Sequence, residues 1–484
     1  MNQIKIGLDF GTHQTKICVQ TIPDEGHGVP SYEFFQFTDL KGDKHYYIPS
    51  VIQINDDDSL SYGFVDDRRI KQKPNAPQKQ DVVLEKAFDV LELADNLFAK
   101  YATDDNTPDD KRVIENVLNL RLQKIRERNV NRIQAANIIY EKELDEYKKV
   151  KNLFRYFKQA TFIGGELSRN FLIPCRTLCV WYLAYIIFLL EEKYGTDFSI
   201  NMGVPADEST YKSKKQLAVS IIATSYNLVE NVYKNDFNRF LHEKVDALLK
   251  NTVNVLYSDE IKENYNINIF PEAYASLIAL TSRGKLPMGK MSLTADIGGG
   301  TTDVSFFTVD NGNPMIYRYW SISKGLNYIA EESGFDYADG DFASKANMYA
   351  IDMFNRKKQE IVFNLVNDLK RRIKYETNIP VQNLTDALKD RILVYSGGGS
   401  SFRFLANAVG SFTDVRIVDS SVWNEEMIKD KAEVSKLSFL LTTAYGLSVC
   451  KNDEDVQLRS YSSLYENLPK KHEDDIQEIS KDQC

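Results

Sequence analysis

The chain has 484 residues, 43% of them hydrophobic, and its 60 Lys and Arg stand against 69 Asp and Glu for a net charge of −9. At roughly 100–200 residues per domain this is two to four domains, and the apolar content fills sizeable cores, which excludes global disorder. The acidic balance argues against nucleic acid as the main partner, because a phosphate backbone is met by a basic surface.

The opening MNQIKIGLDFG carries no secretory leader pattern. Ile4, Ile6 and Leu8 alternate, a turn follows at Gly11, and 15–20 reads as a second strand, so the start is a β-hairpin. Residues 45–54 form another short strand region around Pro49. From 70 to 158 the chain turns charged and glycine-free, with helical stretches at 113–128 and 131–151. This reads as a helical insertion with solvated faces, or as a surface for a protein partner; its apolar heptad is too broken to define a coiled coil. A buried helix follows at about 171–193. Its apolar run, 177–190, is 14 residues long, and a bilayer span needs about 20. No membrane span is expected, and the expected location is the cytoplasm.

A strand at 198–202 leads into Gly203-Val204-Pro205, more helices run to about 250, and 229–249 reads as a second helical elaboration. Residues 291–309 read as strand, glycine loop and strand, 339–376 as mainly helical, and 391–396 as a strand ending in Gly397-Gly398-Gly399 before a helix at about 401–410. From 451 to 484 the chain is acidic and lacks periodicity, the pattern of a flexible tail. Cysteines at 18, 175, 179, 450 and 484 form a sparse, odd set, which suits a reducing compartment. Cys175 and Cys179 share a helix face with no further ligand residue near in sequence, so they read as core.

One internal repeat is visible. Asp9-Phe10-Gly11-Thr12-His13-Gln14-Thr15-Lys16-Ile17 lies over Asp296-Ile297-Gly298-Gly299-Gly300-Thr301-Thr302-Asp303-Val304, and both copies follow an apolar strand and continue into another. A duplicated architecture facing a common site follows. Glycines and small hydroxyl residues let backbone N–H groups approach phosphate oxygens, and an Asp ending each first strand can order Mg²⁺ through waters. The copies differ: Lys16 offers a point charge to phosphates, where Asp303 offers a carboxylate. A third element, Val394-Tyr395-Ser396-Gly397-Gly398-Gly399-Ser400, runs from a strand into a bare glycine turn suited to a flat base.

These three elements, in this order, resemble the actin-like ATPase superfamily, and most closely the nucleotide-binding domain of DnaK-type (heat shock protein 70) chaperones. Further resemblances lie in Gly203-Val204-Pro205-Ala206, in Pro271-Glu272-Ala273, in 47–53 (YIPSVIQ), in 368–375 and in Ala444-Tyr445-Gly446-Leu447. The resemblance implies an α/β fold of two lobes, with mixed sheets flanked by helices around a nucleotide cleft. Lobe I would be 1–290 with insertions at about 70–158 and 229–249, lobe II 291–450, and no peptide-binding domain would fit in what remains.

It implies ATP/ADP and Mg²⁺ as cofactors. Asp9, Asp296 and Asp303 would hold the water shell of the metal, and Glu272 would order metal or attacking water. Gly11, Thr12, His13, Gln14 and Thr15, with Gly298, Gly299, Gly300, Thr301 and Thr302, would cradle phosphate. Arg371, Arg372, Gly397, Gly398, Gly399 and Ser400 would hold adenosine. The family's catalytic lysine is expected within 63–69, where the register puts Asp67, so that role falls to Lys16 or to Arg68. The implied function is an ATP-hydrolysing conformational switch acting on a protein partner through the helical insertions. A filament-forming actin-like ATPase and a small-molecule kinase of the same superfamily are the alternatives.

Overall fold

The computed structural model describes residues 3–23, 28–72, 78, 98–103, 105–149, 152–163, 173–206, 208–255, 266–281, 286, 292–299, 301–322, 392–398, 414–417, 427–456 and 458. In chain order the strands are β1 (Gln3–Phe10), β2 (Gln14–Ile22), β3 (Ser31–Phe34), β4 (Phe37–Thr38), β5 (Lys44–His45), β6 (Ile48–Pro49), β7 (Ile52–Ile54), β8 (Leu60–Tyr62), β9 (Leu153–Phe154), β10 (Ser199–Val204), β11 (Ile267–Pro271), β12 (Ser292–Ile297), β13 (Thr302–Asp310), β14 (Asn313–Ile322), β15 (Ile392–Ser396) and β16 (Asp414–Ile417). The helices that matter here are α1 (Pro108–Lys149), α2 (Phe157–Phe162), α3 (Cys175–Tyr194), α4 (Glu208–Asn227), α5 (Phe237–Leu241), α6 (Val245–Asn254), α7 (Glu272–Thr281), α8 (Lys431–Val434) and α9 (Ser438–Val449).

The architecture is mixed α/β, and two of its sheets share one topology. The first runs β11-β10-β1-β2-β3, with β6 pairing on β2; the second runs β16-β15-β12-β13-β14. In each, the opening strand pairs antiparallel with the next, which pairs antiparallel with the third. On its other edge the opening strand carries two parallel strands supplied from later in the chain. Parallel pairing demands crossover connections. The repeat read from two turns is therefore a repeat of whole sheets. A smaller sheet, β8-β7-β9, returns the chain after α1 to the body of the fold.

Burial follows the layers. The last five residues of β1 and all six of β10 are buried, as expected of central strands covered on both faces. Helix α3 is apolar all round, the mark of a core helix; Trp181 and Tyr182 on it are fully buried. It ends at Gly195, whose φ is 75°. Trp181 Nε1 donates to Thr252 Oγ1 at 2.7 Å, which fixes α6 of the second helical elaboration against α3. That elaboration is broken into a π-turn at Leu228–Val232, then α5, then α6.

Helix α9 is held between the first sheet and α7. A Cβ on Gly7 would lie 2.2 Å from Ala444 O, and one on Gly446 would lie 1.8 Å from Ala275 O, so backbone touches backbone on both sides. The last turn of α9 is closed by side chains: Asn201 Nδ2 donates to Leu447 O at 2.8 Å and to Cys450 O at 2.9 Å, and Lys5 Nζ donates to Cys450 O at 3.1 Å. These bonds satisfy carbonyls that a helix end leaves orphaned.

Several elements differ from the sequence reading. Residues 113–128 and 131–149 belong to one continuous helix, α1, because 129–130 hold neither Gly nor Pro. The acidic stretch after 451 begins docked: Ile269 N donates to Asp453 Oδ2 at 3.0 Å, and Lys215 pairs with Asp453 at 2.7 Å. The helical readings at 339–376 and 401–410 lie outside the described residues. The chain divides into two compact units, one of 72–152 with 170–172, the other of 1–71, 153–169 and 173–484. Both five-strand orders lie in the second unit, as do β9 and α2. Among the described residues no helix is long and apolar enough to cross a membrane.

The wedge at Gly446 makes a direct prediction. Gly446→Ala should lower stability by about 1–3 kcal/mol or more through overpacking, read as a fall in the midpoint of urea or thermal unfolding. A neutral substitution would contradict the backbone contact.

Candidate functional site

The two hairpins place their acids at the same structural station. In the first, Asp9 pairs with Lys16 across β1 and β2; in the second, Asp296 pairs with Asp303 across β12 and β13. Each turn closes with a backbone bond, Gly11 N to Asp9 O at 3.0 Å and Gly298 N to Thr301 O at 2.9 Å. The first turn is pinned from outside by Ser50, which donates through Oγ to Gly11 O at 2.8 Å and through N to His13 O at 2.9 Å. The two turns meet: a Cβ added to Gly299 would lie 2.9 Å from His13 Cβ.

Both turns line one cavity of about 310 Å³. Asp9, Gly11, Thr12, His13, Gln14 and Lys16 come from the first hairpin, and Asp296, Gly298, Gly299, Thr301 and Asp303 from the second. Glu272, Gly397 and Gly398 join them, with Phe439, Leu440 and Thr443 at the start of α9. Gly397 adopts φ 77°, its N–H donates to Phe439 O at 3.0 Å, and a Cβ there would fall 2.2 Å from Asp296 Oδ1. Only glycine fits that corner. Thr15 and Thr302 are buried beneath the turns and do not line the cavity; Thr15 Oγ1 lies 3.1 Å from Ser50 Oγ. Gly300, Gly399, Ser400, Arg371 and Arg372 lie outside the described residues.

The cavity holds a second cation that sequence reasoning missed. Lys158, with its side chain 4% exposed, forms an ion pair with Glu272, the first residue of α7. Its position follows from its neighbour. Phe157 packs with Phe10 and Tyr182, ring centroids 6.1 and 5.7 Å apart, and Phe10 stacks on Tyr182 at 5.5 Å. That aromatic cluster fastens α2 to the end of β1 and aims the next side chain into the cavity. The available signal was the run Phe154-Arg155-Tyr156-Phe157, where charged sequence gives way to aromatic core. In the segment where a lysine was expected, Asp67 opens a short turn, and Arg68 is 89% exposed and pairs with Asp66 at 2.9 Å. Neither lines the cavity. Lys16 does, and its Nζ lies 3.0 Å from Asp9 Oδ2.

Asp303 is fixed through both oxygens. Thr301 Oγ1 donates to Oδ2 at 2.9 Å and Tyr319 OH donates to Oδ1 at 2.6 Å. Tyr319 was also missed, since nothing in sequence marks which residue of β14 reaches across to β13.

The charges are crowded. Burial, then Asp303 and Asp9, push the Asp296 carboxyl up to about 7, against the opposing pull of Lys16. Burial works to lower Lys158, but Glu272 and Asp9 outweigh it, so the amine is held above its ordinary value and stays charged. Burial, with Arg155 and Lys16, pushes His13 down to about 4, so the imidazole is neutral near pH 7. Among the described residues no group of three or more His, Cys, Asp or Glu is placed to ligate a metal directly. Burial is the first cause of the Asp296 elevation, and the neighbouring Asp303 and Asp9 carboxylates add to it.

No protein-family model matches the chain, and no curated protein matches it in sequence.

The Asp296 shift carries a sign. The Asp296 carboxyl titrates at about 7, above its ordinary value of 3.8, so ionisation costs the folded state; the cost is full above pH 7 and fades as pH falls toward 4. The stability of the ligand-free protein relative to its Asp296→Asn variant should therefore fall as pH rises from about 4 to about 7 and level off above that. Thermal melts of both proteins across that range read the difference directly, and a flat difference would remove the crowding.

Proposed function

We propose that the chain is an ATP-binding and ATP-hydrolysing conformational switch, related in design to the nucleotide-binding domain of DnaK-type chaperones and built as two lobes around the cavity. The observation that carries the reading is the convergence of two hairpins, equivalent in register and in sheet topology, on one cavity. A ligand with a chain of phosphates fits the donors on offer: backbone N–H groups of two glycine turns and the ammonium groups of Lys16 and Lys158.

Hydrolysis is in-line attack of water on the terminal phosphate, with positioning and charge neutralisation providing the catalysis. Mg²⁺, when bound through waters to Asp9, Asp296 and Asp303, supplies countercharge to the phosphates. Lys158 stands where a fixed cation is needed and stays protonated because Glu272 shares its pocket. Glu272, held in turn by Lys158, orients the attacking water. Asp303 keeps one orientation because Thr301 and Tyr319 occupy its two oxygens. His13, neutral at physiological pH, donates to phosphate without adding charge.

A response to nucleotide is supported by one line of contacts. Tyr319 touches Asp303, the Lys214 ammonium lies 5.9 Å from the Tyr319 ring centroid, and Lys214 also donates to Pro205 O just after β10. A change in the charge facing Asp303 is thereby felt at the end of a strand of the other sheet.

Two measurements test the reading. Calorimetric titration with ATP should show binding that strengthens with Mg²⁺, and phosphate release should fall by about 10²–10³ in Asp296→Asn and Asp303→Asn. Lys158→Ala should lower turnover by a similar factor while ATP binding persists. Wild-type turnover in all three variants would reject the site; absent binding in the wild type would reject the function.

A further inference from the structure

A second, smaller pocket of about 20 Å³ lies between α7 and the strands β12, β13 and β14. Asp296, Asp303 and Glu272 border both it and the larger cavity. A sheet face covered by a helix is ordinarily apolar, and this one is not. Register sets Thr294 opposite Ser305 and Ser305 opposite Tyr319, so three hydroxyl residues form a row across the sheet. Asp296 and Asp303 stand two residues along the same strands and share that face. Glu272 and Ser276 close the pocket from α7.

Hydrogens and acceptors do not match there. Tyr319 gives its hydroxyl hydrogen to Asp303, and Ser276 Oγ donates to Ala273 O at 3.0 Å within α7. Ser305 is 1% exposed, and its Oγ has no hydrogen-bond partner among the described residues. A buried hydroxyl in that position is uncommon and marks a bound water or ion. The carboxylates of Glu272 and Asp296 and the lone pairs of Ser276 border the same space, so acceptors outnumber hydrogens. The occupant must bring hydrogens or positive charge. A bare cation would meet the lone pairs of Ser305 and leave its hydroxyl hydrogen without an acceptor; a water accepts that hydrogen and supplies two more. A volume of about 20 Å³ holds one water.

We propose that this pocket holds a single buried water, which accepts from Ser305 and donates to the carboxylates of Glu272 and Asp296. The water ties α7 to β12 and β13 and makes Ser305 a positioning residue for both acids. Its presence does not rest on the nucleotide reading.

A crystal structure of the ligand-free chain, at a resolution that orders buried solvent, should show one density peak in the pocket at hydrogen-bond distance from Ser305 Oγ. Ser305→Val places methyl groups in the same space and suits a strand. Magnetic relaxation dispersion of solvent oxygen should count one fewer long-lived water in that variant, with circular dichroism unchanged. Exchanging K⁺ for Na⁺ at equal ionic strength should leave the melting temperature of the wild type unchanged. Should the valine variant fail to fold, the wild-type density and the cation exchange decide alone. A wild-type pocket without density, an equal water count in Ser305→Val, or a melting temperature that follows K⁺ over Na⁺ would overturn the proposal. The positioning role has its own readout, and this arm does rest on the nucleotide reading: Ser305→Val should lower kcat for ATP hydrolysis about tenfold with KM near the wild-type value, since the water orients side chains and does not touch nucleotide. An unchanged kcat in a variant that has lost the water would overturn that role.

Discussion

Everything at the cavity depends on like charge held close. Asp9, Asp296 and Asp303 end or begin strands that sheet register forces toward one point, and Glu272 opens a helix aimed at the same place. Burial first, and the repulsion of Asp303 and Asp9 after it, make Asp296 hold its proton to about pH 7. The surrounding structure absorbs this cost with Lys16 on Asp9, Lys158 on Glu272, and two hydroxyl donors on Asp303. Such strain persists where a fold over-determines it, and it concentrates at sites that bind charge.

The over-determination is visible in the packing. Gly7 and Gly446 let α9 sit against both β1 and α7 at backbone distance, so the base of the first hairpin cannot drift. Ser50 grips the first turn from outside, and Gly397 presses on Asp296 from the third corner. The aromatic cluster of Phe10, Phe157 and Tyr182 ties α2 to the strand that carries Asp9. Each device is a close approach or a short bond, and each fixes a polar group that would otherwise relax away from its neighbours.

What was legible in the sequence was local. The repeat around Asp9 and Asp296 is read from consecutive residues, because a strand–turn–strand unit writes its glycines and acids next to each other. The same holds for the glycine turn at Gly397. What escaped was distant pairing. Lys158 reaches the cavity only because β9 returns the chain to the sheet of β7 after the long helix, a step no local pattern encodes. Tyr319 sits opposite the β13 segment 302–305 through a hairpin register shifted between Phe306 and Phe307, and a shift of one residue would turn it away. The docked start of the acidic stretch was hidden for a like reason: Asp453 looks like solvent-facing composition until β11 offers it a free N–H.

The two hairpins are alike in geometry and unlike in charge, and the difference sets the balance of charge in the cavity. Were Asp303 a lysine like its counterpart Lys16, three ammonium groups would stand against Asp9, Glu272 and Asp296, and the cavity would close on its own ion pairs. Were Lys16 an acid like Asp303, five carboxylates would face one lysine, and phosphate would be repelled. With two lysines against four acids, and His13 neutral, the cavity carries a residual negative charge beside two turns rich in N–H donors. That combination favours a cation and an anion together over either alone, because each removes the electrostatic cost of the other. A duplicated fold supplies the symmetric frame, and divergence at one register position, lysine in one copy and aspartate in the other, sets the charge of the cavity.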